Sequence, residues 1–259
     1  MERGKPIGVF DSGVGGLSIL RALRAELPHE DFVYFSDAAH APYGERGDGY
    51  VADRSRAIAR ELLDEHRIKA LVVACNTATA AAVHLLRAEH DGIPTVGVEP
   101  ALKPAAALTQ TGRVAVFATR GTLSSAKFAK LHESLRDQAE FVLVPCDGLA
   151  AAIESFNGDE VANLCRLYVE SAGEFGPLPG QIDTLVLGCT HYPFAAADFQ
   201  RLVGPQVRLV ETGEPVARQA RRLLEAKSLL NDAGSARVAW RTSGDMAQLR
   251  DAAHRWLGL

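Results

Sequence analysis

Leu71-Val-Val-Ala-Cys75-Asn76-Thr77-Ala78 has a counterpart later in the chain, Leu185-Val-Leu-Gly-Cys189-Thr190-His191-Tyr192. Each is a short apolar run, then a cysteine, then small polar residues that open an amphipathic stretch. Such runs, bounded by turn-type residues, read as strands buried on both faces of a parallel sheet. Both cysteines then fall where a strand ends and a helix begins, the edge at which open α/β sheets bind ligands. A second pair supports the duplication: Ile7-Gly-Val-Phe10-Asp11-Ser12-Gly13 resembles Val114-Ala-Val-Phe117-Ala-Thr119-Arg-Gly-Thr122. Phe10 and Phe117 lie 107 residues apart and Cys75 and Cys189 lie 114 apart, so the spacing is nearly constant. The expected architecture is α/β, with two pseudo-symmetric domains, each a mostly parallel sheet flanked by helices. One thiol on each would face an interdomain cleft.

Working outward, Ile7 to Phe10 predicts a first strand and Leu17, Leu20, Leu23 and Leu27 a helix after it, joined by Asp11-Ser-Gly-Val-Gly-Gly16. The glycine spacing fails the dinucleotide fingerprint, and no Lys-Ser/Thr follows as a phosphate loop needs. The turn reads either as a backbone cradle for a small carboxylate or as a tight turn that simply needs glycine. Phe32 to Phe35 predicts a second strand, leading into Ser36-Asp-Ala-Ala-His-Ala-Pro42-Tyr43-Gly44, a ligand loop or lid by its length. A helix from Tyr50 to His66, the first cysteine strand, a helix from Thr77 to His90 and a strand at Pro94 to Val98 complete the first half. Glu99-Pro100 to Pro104 reads as a hinge. The second half alternates strands at 114–117, 141–144 and 182–188 with helices at 124–137 and through Tyr168, implying βαβ units. After Leu209 to Thr212, a helix at 215–230, a strand at 238–241 and a final helix are expected to return to the first domain. The predicted division is therefore 1–98 with 210–259, and 99–209.

The chain has 259 residues, 47% hydrophobic and 23% charged, ordinary for a globular enzyme. A net charge of −4 and a pI near 6.1 give no footprint for nucleic acid or an anionic membrane. Without an apolar stretch long enough for a signal peptide or membrane span, and with four scattered cysteines, the expected compartment is the reducing cytoplasm.

An unperturbed thiol titrates near 8.5, so a modest shift makes it a usable base or acid at neutral pH. Thiols on opposite walls can take a proton from one face of a bound molecule and return one to the other, which inverts a stereocentre. His191, two residues after Cys189, can exchange the thiol proton. Asp11 ends the strand beside Cys75 and reads as an orienter, a proton relay or a partner for a ligand ammonium, since a carboxylate alone would raise a thiol's pKa. Ser12, Asn76, Thr77, Thr119 and Thr190 supply uncharged donors suited to carboxylates. No cofactor is needed and no pyridoxal-type lysine signature is present. A zinc site from Cys75, Cys189 and His191 lacks any CxxC pair, so no metal is expected. Cys146 and Cys165 read as structural.

These residues resemble the cofactor-independent glutamate racemases of bacteria. The resemblance rests on Phe10-Asp-Ser-Gly-Val-Gly-Gly-Leu17, Ala41-Pro-Tyr-Gly44, Val73-Ala-Cys-Asn-Thr-Ala78, Gly97-Val-Glu-Pro-Ala-Leu-Lys-Pro104, Leu187-Gly-Cys-Thr-His-Tyr-Pro193 and Thr242-Ser-Gly-Asp245, in family order. It implies interconversion of L- and D-glutamate for peptidoglycan, with the cysteine matching Cys189 deprotonating L-glutamate and the one matching Cys75 deprotonating D-glutamate. Asp11 and His191 match the assisting residues. Asp11, Ser12, Tyr43, Gly44, Asn76, Thr77, Thr190 and His191 match substrate contacts. The resemblance further implies a homodimer, with glutamate as the partner and neither nucleic acid nor membrane. One departure is Ser36-Asp-Ala-Ala-His-Ala, which differs from the commoner Asp-Thr-Ala-Arg-type loop. The alternatives are racemisation of aspartate or another acidic amino acid, a cysteine hydrolase or amidase using Cys189 and His191, and a binding module without turnover.

Overall fold

Every residue of the first strand, β1 (Ile7–Asp11), is buried, as its unbroken apolar run requires of a strand covered on both faces. The structure is a computed structural model and describes residues 2–259. The chain continues through α1 (Leu17–Glu26), β2 (Phe32–Ser36), α2 (Asp48–Asp64), β3 (Ala70–Val73), α3 (Asn76–Glu89) and β4 (Thr95–Gly97). It then enters a second compact unit, Glu99–Thr212, holding α4 (Leu102–Leu108), β5 (Arg113–Ala118), α5 (Arg120–Ser124), α6 (Ala126–Glu133) and β6 (Glu140–Pro145). That unit goes on through α7 (Leu149–Glu154), α8 (Gly158–Ala172), β7 (Thr184–Leu187), α9 (Ala196–Val203) and β8 (Arg208–Val210). At Gly213 the chain returns to the first unit for α10 (Gly213–Ala226), β9 (Val238–Thr242) and α11 (Met246–Leu257).

Both sheets are parallel throughout, with strand orders β4-β3-β1-β2-β9 and β6-β5-β7-β8. In the first, the connection from β1 runs one way to β2 and that from β3 runs the other way to β4. The strand order therefore reverses between β1 and β3, and by the same logic between β5 and β7 in the second. A ligand crevice forms at such a reversal because the connecting helices leave to opposite faces. The registers put Phe10 opposite Val73 and Phe117 opposite Leu187. One backbone bond recurs just past each pair: Ala74 N–H donates to Phe10 C=O, and Gly188 N–H to Phe117 C=O, both at 2.7 Å.

Apolar packing holds each sheet to its helices. In the first unit Phe10, Val33 and Val73 meet Ile58 and Leu62 of α2 and Val83 and Leu86 of α3. In the second, Val114, Val116 and Val186 meet Leu102 of α4 and Phe128 of α6. Among the described residues no helix is long and apolar enough to cross a membrane.

Three stretches differ from the sequence expectation, each for a local reason. The stretch read as a hinge turns helical at Leu102, because Pro104 sits in the first turn of α4, where a missing N–H costs no intrahelical bond. In place of the single helix expected over 124–137 there are two short ones, α5 ending at Ser124 and α6 running from Ala126 to Glu133, since Ser125 caps α6 by accepting from Phe128 N–H at 3.1 Å. The helical stretch before Tyr168 is also two, with Asn157 capping α8 by accepting from Glu160 N–H at 3.2 Å.

At the amino-terminal end of the first sheet, the buried Lys69 Nζ lies 2.5 Å from Glu30 Oε2 and donates to the carbonyls of Leu229, at 2.9 Å, and Arg3. Glu30 Oε1 accepts from Asn231 N–H at 2.9 Å. This pair ties the return segment to the starts of β2 and β3. Lys69→Ala leaves a carboxylate buried without its cation and is expected to lower unfolding stability by about 3–5 kcal/mol in urea titrations; a loss below about 1 kcal/mol would show that the pair does not hold the segment.

Candidate active site

One residue, Ala74, separates Cys75 from the end of β3, and Cys75 takes the N-cap position of α3, where its Sγ accepts from Ala78 N–H at 3.5 Å. The sulfur thereby meets the amino end of a 14-residue helix, a position that favours negative charge. Its thiol also points to Ser12 Oγ, 3.7 Å away. Asn76 opens the helix and is almost fully buried, yet neither its Oδ1 nor its Nδ2 has a hydrogen-bond partner among the described residues. A buried primary amide left unpaired costs about 1–3 kcal/mol, so packing alone does not account for an asparagine at this position. Thr77 follows, half-buried.

Asp11, fully buried at the end of β1, accepts from Gly13 N–H through Oδ2 at 3.0 Å and so closes the turn into α1. The turn also pairs Leu17 N–H with Val14 C=O and Ser18 N–H with Gly15 C=O. Of the turn's own amides, Gly13 N–H is thus engaged with Asp11, while the carbonyls of Val14 and Gly15 receive the first amides of α1. Gly16 is needed for close approach: a Cβ there would stand 2.6 Å from Asp11 Cβ and 2.9 Å from the Tyr34 hydroxyl. The loop after β2 brings Tyr43 and Gly44 onto a single 3₁₀ turn, Tyr43–Glu45. The Tyr43 ring is buried and its hydroxyl donates to Asp37 Oδ2 at 2.5 Å. Burial, then the Asp37 hydrogen bond, hold that hydroxyl proton far above the ordinary tyrosine range.

In the second unit Cys189 follows β7, and Gly188 allows the close pairing there, since a Cβ would lie 2.8 Å from Phe117 C=O. Cys189 Sγ is 3.7 Å from His191 Nδ1, and His191 Nε2 is 2.5 Å from Glu154 Oε2 at the end of α7. Burial works against a charged ring at His191, but the hydrogen bonds to Cys189 and Glu154 and the Glu154 charge outweigh it, raising its pKa well above the usual imidazole value. The result is a sulfur, an imidazole ring and a carboxylate linked in sequence through the two ring nitrogens. Thr190, also buried, lies between the two. Thr119, at the end of β5, caps α5: its Oγ1 accepts from Thr122 N–H at 3.2 Å and lies 2.9 Å from Thr122 Oγ1. Among the described residues no three His, Cys, Asp or Glu side chains form a group able to hold a metal ion.

Residues 17–220 match the Asp/Glu/Hydantoin racemase family. The chain belongs to that family. It is 49% identical over 227 residues to the glutamate racemase of Methylococcus capsulatus, covering 87% of this chain and 81% of that one. Among solved structures, a glutamate racemase isoform from Bacillus anthracis matches with a TM-score of 0.87 at 31% identity, over 99% of this chain and 95% of that one. The glutamate racemase of Francisella tularensis, solved in complex with D-glutamate, gives a TM-score of 0.83 at 27% identity over the same shares. The chain is thus a racemase, an isomerase, which sets aside the hydrolase and the inert binding module.

Two thiols of the racemase stand apart from this chemistry. Burial, and then the proximity of Cys189, push the Cys146 thiol far up, and burial pushes that of Cys165 up to about 12. Neither supplies thiolate near neutrality. Sequence reasoning missed Glu154, Asp37 and Arg54. Glu154 ends an alanine-rich helix 37 residues before the histidine it meets, with no local pattern to mark it. Arg54 is one of several charged residues on α2, and only the fold shows it turned onto Asp37.

The His191 pKa lies above its unfolded value, so the stability it contributes is fully present below about pH 6.5 and is lost as pH rises through the folded value. Glu154→Gln removes the charged partner and is expected to flatten the fall in stability above pH 6.5, followed by urea unfolding from pH 6 to 9. Superimposable slopes for parent and variant would contradict the pairing.

Proposed function

We propose that the racemase interconverts L- and D-glutamate by two-base proton transfer, with Cys189 deprotonating L-glutamate and Cys75 deprotonating D-glutamate. The observation that carries this reading is the matched placement of the two thiols, each just past the strand at which its sheet order reverses and each beside a polar partner. The sulfur that starts as thiolate takes the Cα proton, the substrate passes through a carbanion delocalised into its carboxyl group, and the opposite thiol delivers a proton to the other face. The bond broken at Cα is replaced by one of inverted configuration, and no electrons leave the substrate.

His191, charged and backed by Glu154, returns a proton to Cys189 after that thiol has delivered its own. Asp11 and Ser12 serve the Cys75 side, and Asn76, Thr77, Thr119 and Thr190, with the Tyr43–Gly44 turn, hold the substrate's polar groups. Glutamate is favoured as substrate by the names of the relatives and by the D-glutamate bound to the Francisella tularensis enzyme. In this reading the product feeds peptidoglycan synthesis, and the enzyme works in the cytoplasm as a homodimer.

Optical rotation of L-glutamate incubated with the enzyme and a chelator is expected to decay to zero, and Cys75→Ala and Cys189→Ala each to slow that decay by at least about 100-fold. Full racemisation by either variant would sink the two-base reading, and decay with L-aspartate but not L-glutamate would reassign the substrate. Asn76→Leu, which keeps the shape and removes the unpaired amide, is expected to raise KM for glutamate roughly tenfold while thermal stability holds or rises. An unchanged KM would remove Asn76 from the substrate contacts.

A further inference from the structure

Asp37 is wholly buried, and both of its oxygens are saturated. Oδ2 accepts from the Tyr43 hydroxyl at 2.5 Å and from Arg54 Nε at 3.0 Å. Oδ1 accepts from the second Arg54 nitrogen at 2.7 Å and meets His40 Nδ1 at 3.0 Å. Burial opposes the charge, but the hydrogen bonds from Arg54, Tyr43 and Ser243 keep the carboxyl below its ordinary range, so it stays ionised. A carboxylate so fully engaged has no lone pair left for a substrate, and the Tyr43 hydroxyl is equally committed. The planar Arg54 fork fixes the carboxylate's orientation as well as its charge.

The buried Tyr43 ring belongs to the same apolar cluster as Cys75 and Ala78, the first residues around the start of α3. The second unit backs its thiol with a carboxylate and a ring, Glu154 and His191. In the first unit the ring, Tyr43, stands in the cluster that holds the thiol, and the carboxylate, Asp37, accepts a hydrogen bond from that ring's hydroxyl.

We propose that Asp37, locked by Arg54, is a positioning residue for the Cys75 side of the reaction: it fixes the Tyr43 ring, and with it the Tyr43–Gly44 turn, against the helix start that carries Cys75 and Asn76. The inference rests on the two-thiol reading above. A staple that merely holds the loop to α2 would affect both proton transfers alike, whereas a positioning role on one wall affects one of them.

The test uses Cα-deuterated D- and L-glutamate with the full-length parent, Tyr43→Phe and Asp37→Asn. Cys75 takes the deuteron from the D-isomer and Cys189 from the L-isomer. Impairing the Cys75 step therefore makes the D-direction isotope effect on kcat/KM larger and the L-direction effect smaller. Tyr43→Phe is expected to lower kcat/KM about tenfold and to shift the ratio of the two isotope effects towards the D-direction. Asp37→Asn is expected to shift it the same way. An unchanged ratio, whether or not the rates fall, would overturn the inference. If Asp37→Asn does not fold, Tyr43→Phe, which keeps the ring, decides alone. A parent enzyme that fails to racemise glutamate would sink the functional reading and this inference with it; an active parent with symmetric variants would sink only the inference.

Discussion

The parallel pairing of β1 with β3 and of β5 with β7 is the constraint on which the rest of the molecule depends. It leaves Phe10 C=O to receive Ala74 N–H and Phe117 C=O to receive Gly188 N–H, and each of these bonds immediately precedes a cysteine. A shift of β3 against β1 would move the Cys75 thiol away from Ser12, which follows β1. The buried apolar runs enforce the register, because displaced residues would put the strand ends into the cores formed around Val73 and Val186.

The two units resemble each other in strand order and differ in what surrounds the sulfur. Cys75 opens a long helix and has a backbone N–H from it, while Cys189 leads only into a short 3₁₀ turn, Tyr192–Ala195. Where the long helix is missing, the chain supplies a side chain: His191, held by Glu154. A duplicated scaffold thus provides similar positions for two thiols and different polar surroundings for each.

How much of this was readable beforehand follows from the range of the forces involved. Strand ends, the glycine turn and both cysteine junctions are written in contiguous residues, and their α/β fold class appears in the structure as read. Breaks set by one capping side chain, at Ser125 and Asn157, were hidden inside stretches of helical composition. Pro104 looked like a breaker because its place in the first turn depends on where α4 begins. Asp37 stood in a quoted loop without a role, since its meaning comes from Arg54, 17 residues away. Glu154 had no signal, because α7 must first fold back towards β7 for the carboxylate to meet His191.

Whether two different groups handle the substrate proton is tested most directly by the initial phase of the reaction in D2O. With L-glutamate as substrate, mass or NMR analysis of the separated enantiomers at low conversion should find deuterium at Cα of the D-glutamate formed and protium retained in the remaining L-glutamate. Early deuterium in both enantiomers alike would mean that a single group both removes and returns the proton, and the assignment of Cys75 and Cys189 to opposite faces would fail.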